Sequence, residues 1–79
     1  MDAFTFKRAY NLALLNQEGH KLIFFVRLWD GTSIRFTRYT IVSKSASQVH
    51  LWFMNYMGDK IGIWVPLKDV QRIDYQVVE

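Results

Sequence analysis

Val26-Arg27-Leu28-Trp29-Asp30-Gly31-Thr32-Ser33-Ile34 is the stretch whose reading decides the fold. It joins two apolar, β-branched runs through an Asp-Gly pair, the pattern of an antiparallel hairpin. Two registers compete. A two-residue turn at Asp30-Gly31 sets Leu28, Val26 and Phe24 opposite Ser33, Arg35 and Thr37. A three-residue loop, Trp29-Asp30-Gly31 with Gly31 left-handed, sets Val26 opposite Ile34 and Phe24 opposite Phe36. The second register buries apolar against apolar and uses glycine where a positive φ is needed, so it is the one expected.

The same loop fits Tyr56-Met57-Gly58. Phe53 then faces Ile61, Leu51 faces Ile63 and Val49 faces Val65 on one side, while Trp52 lies across from Gly62 and His50 from Trp64 on the other. An aromatic ring over a cross-strand glycine is a recurrent stabilising arrangement. A two-residue turn led by Gly58 would swap the faces. Pro66 has no amide hydrogen for the ladder, so Pro66-Leu67-Lys68-Asp69 is expected to form one 3₁₀ turn before a last strand.

The period-two pattern predicts strands at about 21–29, 32–42, 48–56, 59–65 and 70–78. Ahead of them, Ala3, Phe6, Tyr10, Ala13 and Leu14 fall at three- and four-residue spacings, which predicts a helix over about 3–17. Asp2 is its expected N-cap, and Gly19 stands where a left-handed residue ends a helix. Phe4 and Leu12 lie off the helix's apolar face. Ser43-Lys44-Ser45-Ala46-Ser47 reads as the one flexible linker.

Seventy-nine residues make a single domain, 1–79, near the small end of what folds alone. Without cysteine there is no disulfide framework, thiolate metal site or thiol nucleophile, so stability must come from apolar burial or from a partner. Hydrophobic residues make up 51% of the chain, which argues against disorder. Ten Lys or Arg against seven Asp or Glu give a net charge of +3, and the cations are scattered rather than clustered as in dedicated nucleic-acid binders. No segment has the length of a membrane span, and the acidic start with a short Leu12-Ala13-Leu14-Leu15 core does not read as a signal peptide. The expectation is a cytoplasmic protein with no membrane partner.

Leu28-Trp29-Asp30-Gly31 resembles the first hairpin turn of Sm-like proteins, and Val65-Pro66-Leu67-Lys68-Asp69-Val70-Gln71-Arg72-Ile73 looks like the closing segment of such a barrel. The resemblance implies a mainly β domain: an N-terminal helix and a five-stranded antiparallel SH3-like (Sm-like) barrel over about 21–78. The family's second-strand glycine is missing from Ile34-Arg35-Phe36-Thr37, and its acidic-asparagine loop is missing from Ser43 to Ser47. Only the architecture carries over, and none of the family's functional residues. Ring assembly and RNA binding are raised by the resemblance alone.

If Leu22, Phe24, Val26, Leu28, Val49, Leu51 and Phe53 fill the interior, then Ile23, Phe25, Trp52, Met54 and Trp64 cannot also lie inside. Monomers rarely expose large contiguous apolar patches, so this outer face needs cover. The N-terminal helix is one cover; a protein interface is the other. Trp, Met and Arg favour interface centres. The expected binding residues are Phe25, Trp52, Met54 and Trp64, with Arg35 and His50 as polar neighbours, and the simplest partner is a second copy. The alternative is a single-stranded RNA- or DNA-binding face in which rings stack bases while Arg27, Arg35, Arg38 and Lys60 contact phosphates. Phe25 and Arg35, cross-strand neighbours, equally suit a cation–π pair with each other. Neither His20 nor His50 has a carboxylate at metal-ligand spacing, and no catalytic motif is present, so neither metal, cofactor nor enzyme activity is expected.

Overall fold

The computed structural model describes residues 1–41 and 47–78. Helix α1 (Ala3–Asn16) begins at Asp2, whose carboxylate accepts a 2.7 Å hydrogen bond from the Thr5 amide, satisfying one of the first-turn donors that have no intrahelical partner. Gly19 carries the expected positive φ of +85° after the helix. Strands follow as β1 (Lys21–Leu28), β2 (Ser33–Phe36), β3 (Arg38–Thr40), β4 (Gln48–Met54), β5 (Lys60–Pro66) and, after a 3₁₀ turn at Leu67–Asp69, β6 (Val70–Val78). Most of the expected linker, Ser43 to Ala46, lies outside the described residues together with Val42.

Both hairpin registers match the parity argument. Val26 pairs with Ile34 and Phe24 with Phe36. Val49 pairs with Val65, Leu51 with Ile63, Trp52 with Gly62 and Phe53 with Ile61. Gly31 and Gly58 close three-residue loops at φ +92° and +84°, each donating its amide to the residue before the loop, Leu28 and Asn55. The turns are held by neighbouring side chains. Asp30 accepts from the Thr32 amide, while Asn55, rather than Asp59, accepts from the Met57 and Asp59 amides.

The five-stranded barrel is not formed. The strands lie in two separate three-stranded antiparallel sheets, ordered β2-β1-β6 and β3-β4-β5. The stretch expected as one strand over 32–42 breaks at Thr37. Phe36 still pairs with Phe24, but the Thr37 amide turns to the Trp52 carbonyl at 2.7 Å, so the chain leaves one sheet and enters the other. At the opposite corner Pro66 ends β5, and the 3₁₀ turn delivers β6 to β1. Among the described residues β5 and β6 do not pair with each other, so the sheets stay open instead of closing on themselves.

The core fills the space between sheets and helix. Phe24, Val26, Phe36, Val49, Leu51, Val65, Leu67 and Val70 are buried, with Phe6 and Ala13 brought in by the helix. Tyr10 packs on Phe24 at 4.4 Å with the rings tilted by 31°, meets Tyr39 edge-on at 4.8 Å and donates its hydroxyl to the Thr37 carbonyl at 2.9 Å. Partial burial raises the phenol pKa values of Tyr10 and Tyr39. The Met1 ammonium donates to the Leu67 carbonyl, tying the chain's start to the 3₁₀ turn. Leu14, expected on the helix's inner face, is exposed. Among the described residues no helix is long and apolar enough to cross a membrane.

Candidate functional site

The cross-strand pairs Arg38–Trp52, Thr40–His50, His50–Trp64, Trp52–Gly62 and Met54–Lys60 put these side chains on one face of the β3-β4-β5 sheet. The face organises itself around Gly62. A Cβ there would lie 2.6 Å from His50 Nε2 and 3.0 Å from the Trp52 ring, so only glycine leaves both rings room to lie across β5. The His50 ring is parallel to Trp64, centroids 4.3 Å apart and planes 4° apart, and it meets Trp52 at 3.7 Å and 57°. Lys60 Nζ stands 4.1 Å from the Trp52 ring centre, within cation–π range. Thr37, Arg38, Trp52, Phe53, Met54 and Lys60 line a shallow groove of about 250 Å³ beside this cluster.

Helix α1 does not cover this face. Its aromatic contacts go to Phe24, Phe36 and Tyr39, on the opposite, inner side of the strands. Trp64 therefore stays 51% and Met54 62% exposed, while His50 and Trp52 are half-buried by one another and their neighbours.

The expected outer face is divided between the two sheets. Trp52, Trp64, Met54 and His50 come together with Arg38 and Lys60 on one sheet. Phe25, Arg27 and Arg35 belong to the other. Phe25 is half-buried between its cross-strand neighbours Arg35 and Asp74. The cation–π contact of Arg35 is made with Phe53, at 5.8 Å, instead of with Phe25. Arg27 reaches the Ser33 hydroxyl, and across from it Arg72 forms an exposed ion pair with Asp74.

Sequence parity also placed Ile61 and Ile63 inside, and the register does aim them at the inner side, opposite Phe53 and Leu51. They nevertheless remain 43% and 47% exposed. β5 is the outer strand of its sheet, and the ring contacts of α1 go to Phe24, Phe36 and Tyr39, so the cover over the two isoleucines is incomplete. β5 thus shows apolar side chains on both faces. The signal was present as the near-continuous apolar run Ile61-Gly62-Ile63-Trp64-Val65.

Among the described residues no group of three His, Asp or Glu side chains is placed to hold a metal ion. Comparison of the chain with protein families, with curated proteins and with solved structures returned no match.

Proposed function

We propose that the protein is a small non-catalytic interaction domain that binds protein, in the simplest case its own copy, through the β4–β5 hairpin. The observation that carries this reading is β5 itself. It combines an outer edge free of any strand among the described residues, Ile61 and Ile63 half-exposed on one face, and Trp64 half-exposed on the other. An unpaired strand edge offers a row of amide and carbonyl groups to another chain, and natural edges are usually protected by inward charges, prolines or bulges. β5 carries such residues only at its ends, Lys60 and Pro66, and the five residues between them have no charge and no proline. A second copy paired along this edge would satisfy the backbone and shield the two isoleucines.

Light scattering or sedimentation over a wide protein concentration range tests this. The mass should rise with concentration for the wild type, and Ile63→Lys, which places a charge on the pairing strand, should hold the protein monomeric with its circular dichroism unchanged. A wild type that stays monomeric throughout would overturn self-association.

A further inference from the structure

We propose that the outer face of the β3-β4-β5 sheet is a stacking platform for single-stranded nucleic acid. The inference does not rest on self-association, because pairing along the β5 edge leaves this face open. Three rings (His50, Trp52 and Trp64) and two cations (Arg38 and Lys60) share the face, and its cross-strand pairs include no carboxylate.

Each part matches a different part of the same ligand. His50 covers one side of the Trp64 ring and holds it parallel, and the residue's 51% exposure leaves indole surface for a base. Aromatic faces accept every base, since each has a π surface. Neither cation is in an ion pair among the described residues, and cations on one face favour a polyanion. A chain that alternates flat rings with phosphates satisfies both requirements, whereas a polyanion without bases satisfies only one. Lys60 stands four residues from Trp64 along β5, roughly 13 Å at strand spacing, a reach of a few nucleotides.

The free protein keeps the site occupied by its own groups. Lys60 lies over Trp52, giving the ring and the ammonium a partner in the absence of ligand. A phosphate that draws Lys60 aside uncovers the Trp52 ring for a second base. Gly62 is part of the device: with no side chain in the middle of β5, the rings pack side by side across the strand.

The test is fluorescence anisotropy of a labelled, short, mixed-sequence single-stranded oligodeoxynucleotide, with inorganic polyphosphate as a competitor. Two phosphate contacts, at Arg38 and Lys60, predict about sevenfold weaker binding when salt rises from about 50 to about 200 mM. Trp64→Ala should weaken binding by at least about fivefold, and Trp64→Phe should restore most of it. Lys60→Gln should lower the salt dependence. Thermal melting of each variant confirms that it remains folded. The proposal is overturned if the oligonucleotide does not bind at low salt, if polyphosphate competes as well as an unlabelled oligonucleotide of equal charge, or if a folded Trp64→Ala binds like the wild type.

Discussion

Replacing Phe6 with alanine should detach the helix that closes the core. Phe6 is 0% exposed and its ring packs against Tyr39 at 5.0 Å and Phe36 at 6.0 Å, so it is the fully buried apolar side chain that α1 sets against the strands where they cross from one sheet to the other. Emptying a buried phenylalanine site costs about 3–5 kcal/mol, from lost transfer energy and the cavity left behind. A domain of 79 residues is held by roughly 4–12 kcal/mol in total, so the substitution removes about a quarter of the stability or more. At 4–8 °C per kcal/mol for a domain of this size, the melting temperature should fall by at least about 12 °C. Leu15→Ala supplies the control: Leu15 is on the same helix but 67% exposed, and its loss should cost less than about 0.5 kcal/mol. Urea unfolding followed by tryptophan fluorescence reads both. A Phe6→Ala loss below about 1 kcal/mol, or equal losses at both positions, would refute the claim that this helix face seals the core.

Other outcomes follow from local geometry. Gly62→Ala should push His50 and Trp52 apart and weaken two aromatic pairs, a net loss on the order of 1 kcal/mol after the gain from replacing a strand glycine, seen in urea unfolding and in near-ultraviolet dichroism. A variant more stable than the wild type would show that the rings do not need the bare backbone. Hydrogen bonds from the Thr5 and Thr32 amides hold the carboxyls of Asp2 and Asp30 below their ordinary pKa in the folded chain. Their contribution is therefore present above the unfolded value of about 3.9 and is lost as pH falls through the lower folded values. The double variant Asp2→Asn/Asp30→Asn should lose less melting temperature than the wild type between neutral pH and about pH 3. An identical acid loss in the two proteins would count against these two groups.

The proposed function joins an exposed strand with an unusually aromatic sheet, and the two features have one origin. The aromatic contacts of α1 go to Phe24, Phe36 and Tyr39 and none to the β4–β5 hairpin, where Ile61 and Ile63 stay partly open on one face and Trp64 and Met54 on the other. Edge pairing uses the first set and the backbone; a stacked ligand uses the second. Ile63→Lys and Trp64→Ala therefore test the two proposals separately in the same protein.

Chain-local information determined the helix, its Asp2 cap, both glycine-closed loops and the pairing of every residue across the two hairpins. Parity alone settles a register when one choice sets apolar against apolar and the other does not, as at Val26–Ile34. It also put Trp52 across from Gly62 and His50 across from Trp64, because cross-strand neighbours follow from the loop length. Which strands share a sheet was decided only by the tertiary structure. Thr37 looks like any other residue of a β run, and its switch of partner to the Trp52 carbonyl depends on where β4 lies in space. The same holds for cover. Alternation tells which way Ile61 and Ile63 point, but burial needs an element on that side, and α1 spends its apolar face on Phe24, Phe36 and Tyr39. Direction is a property of the strand; burial is a property of what the rest of the chain puts against it.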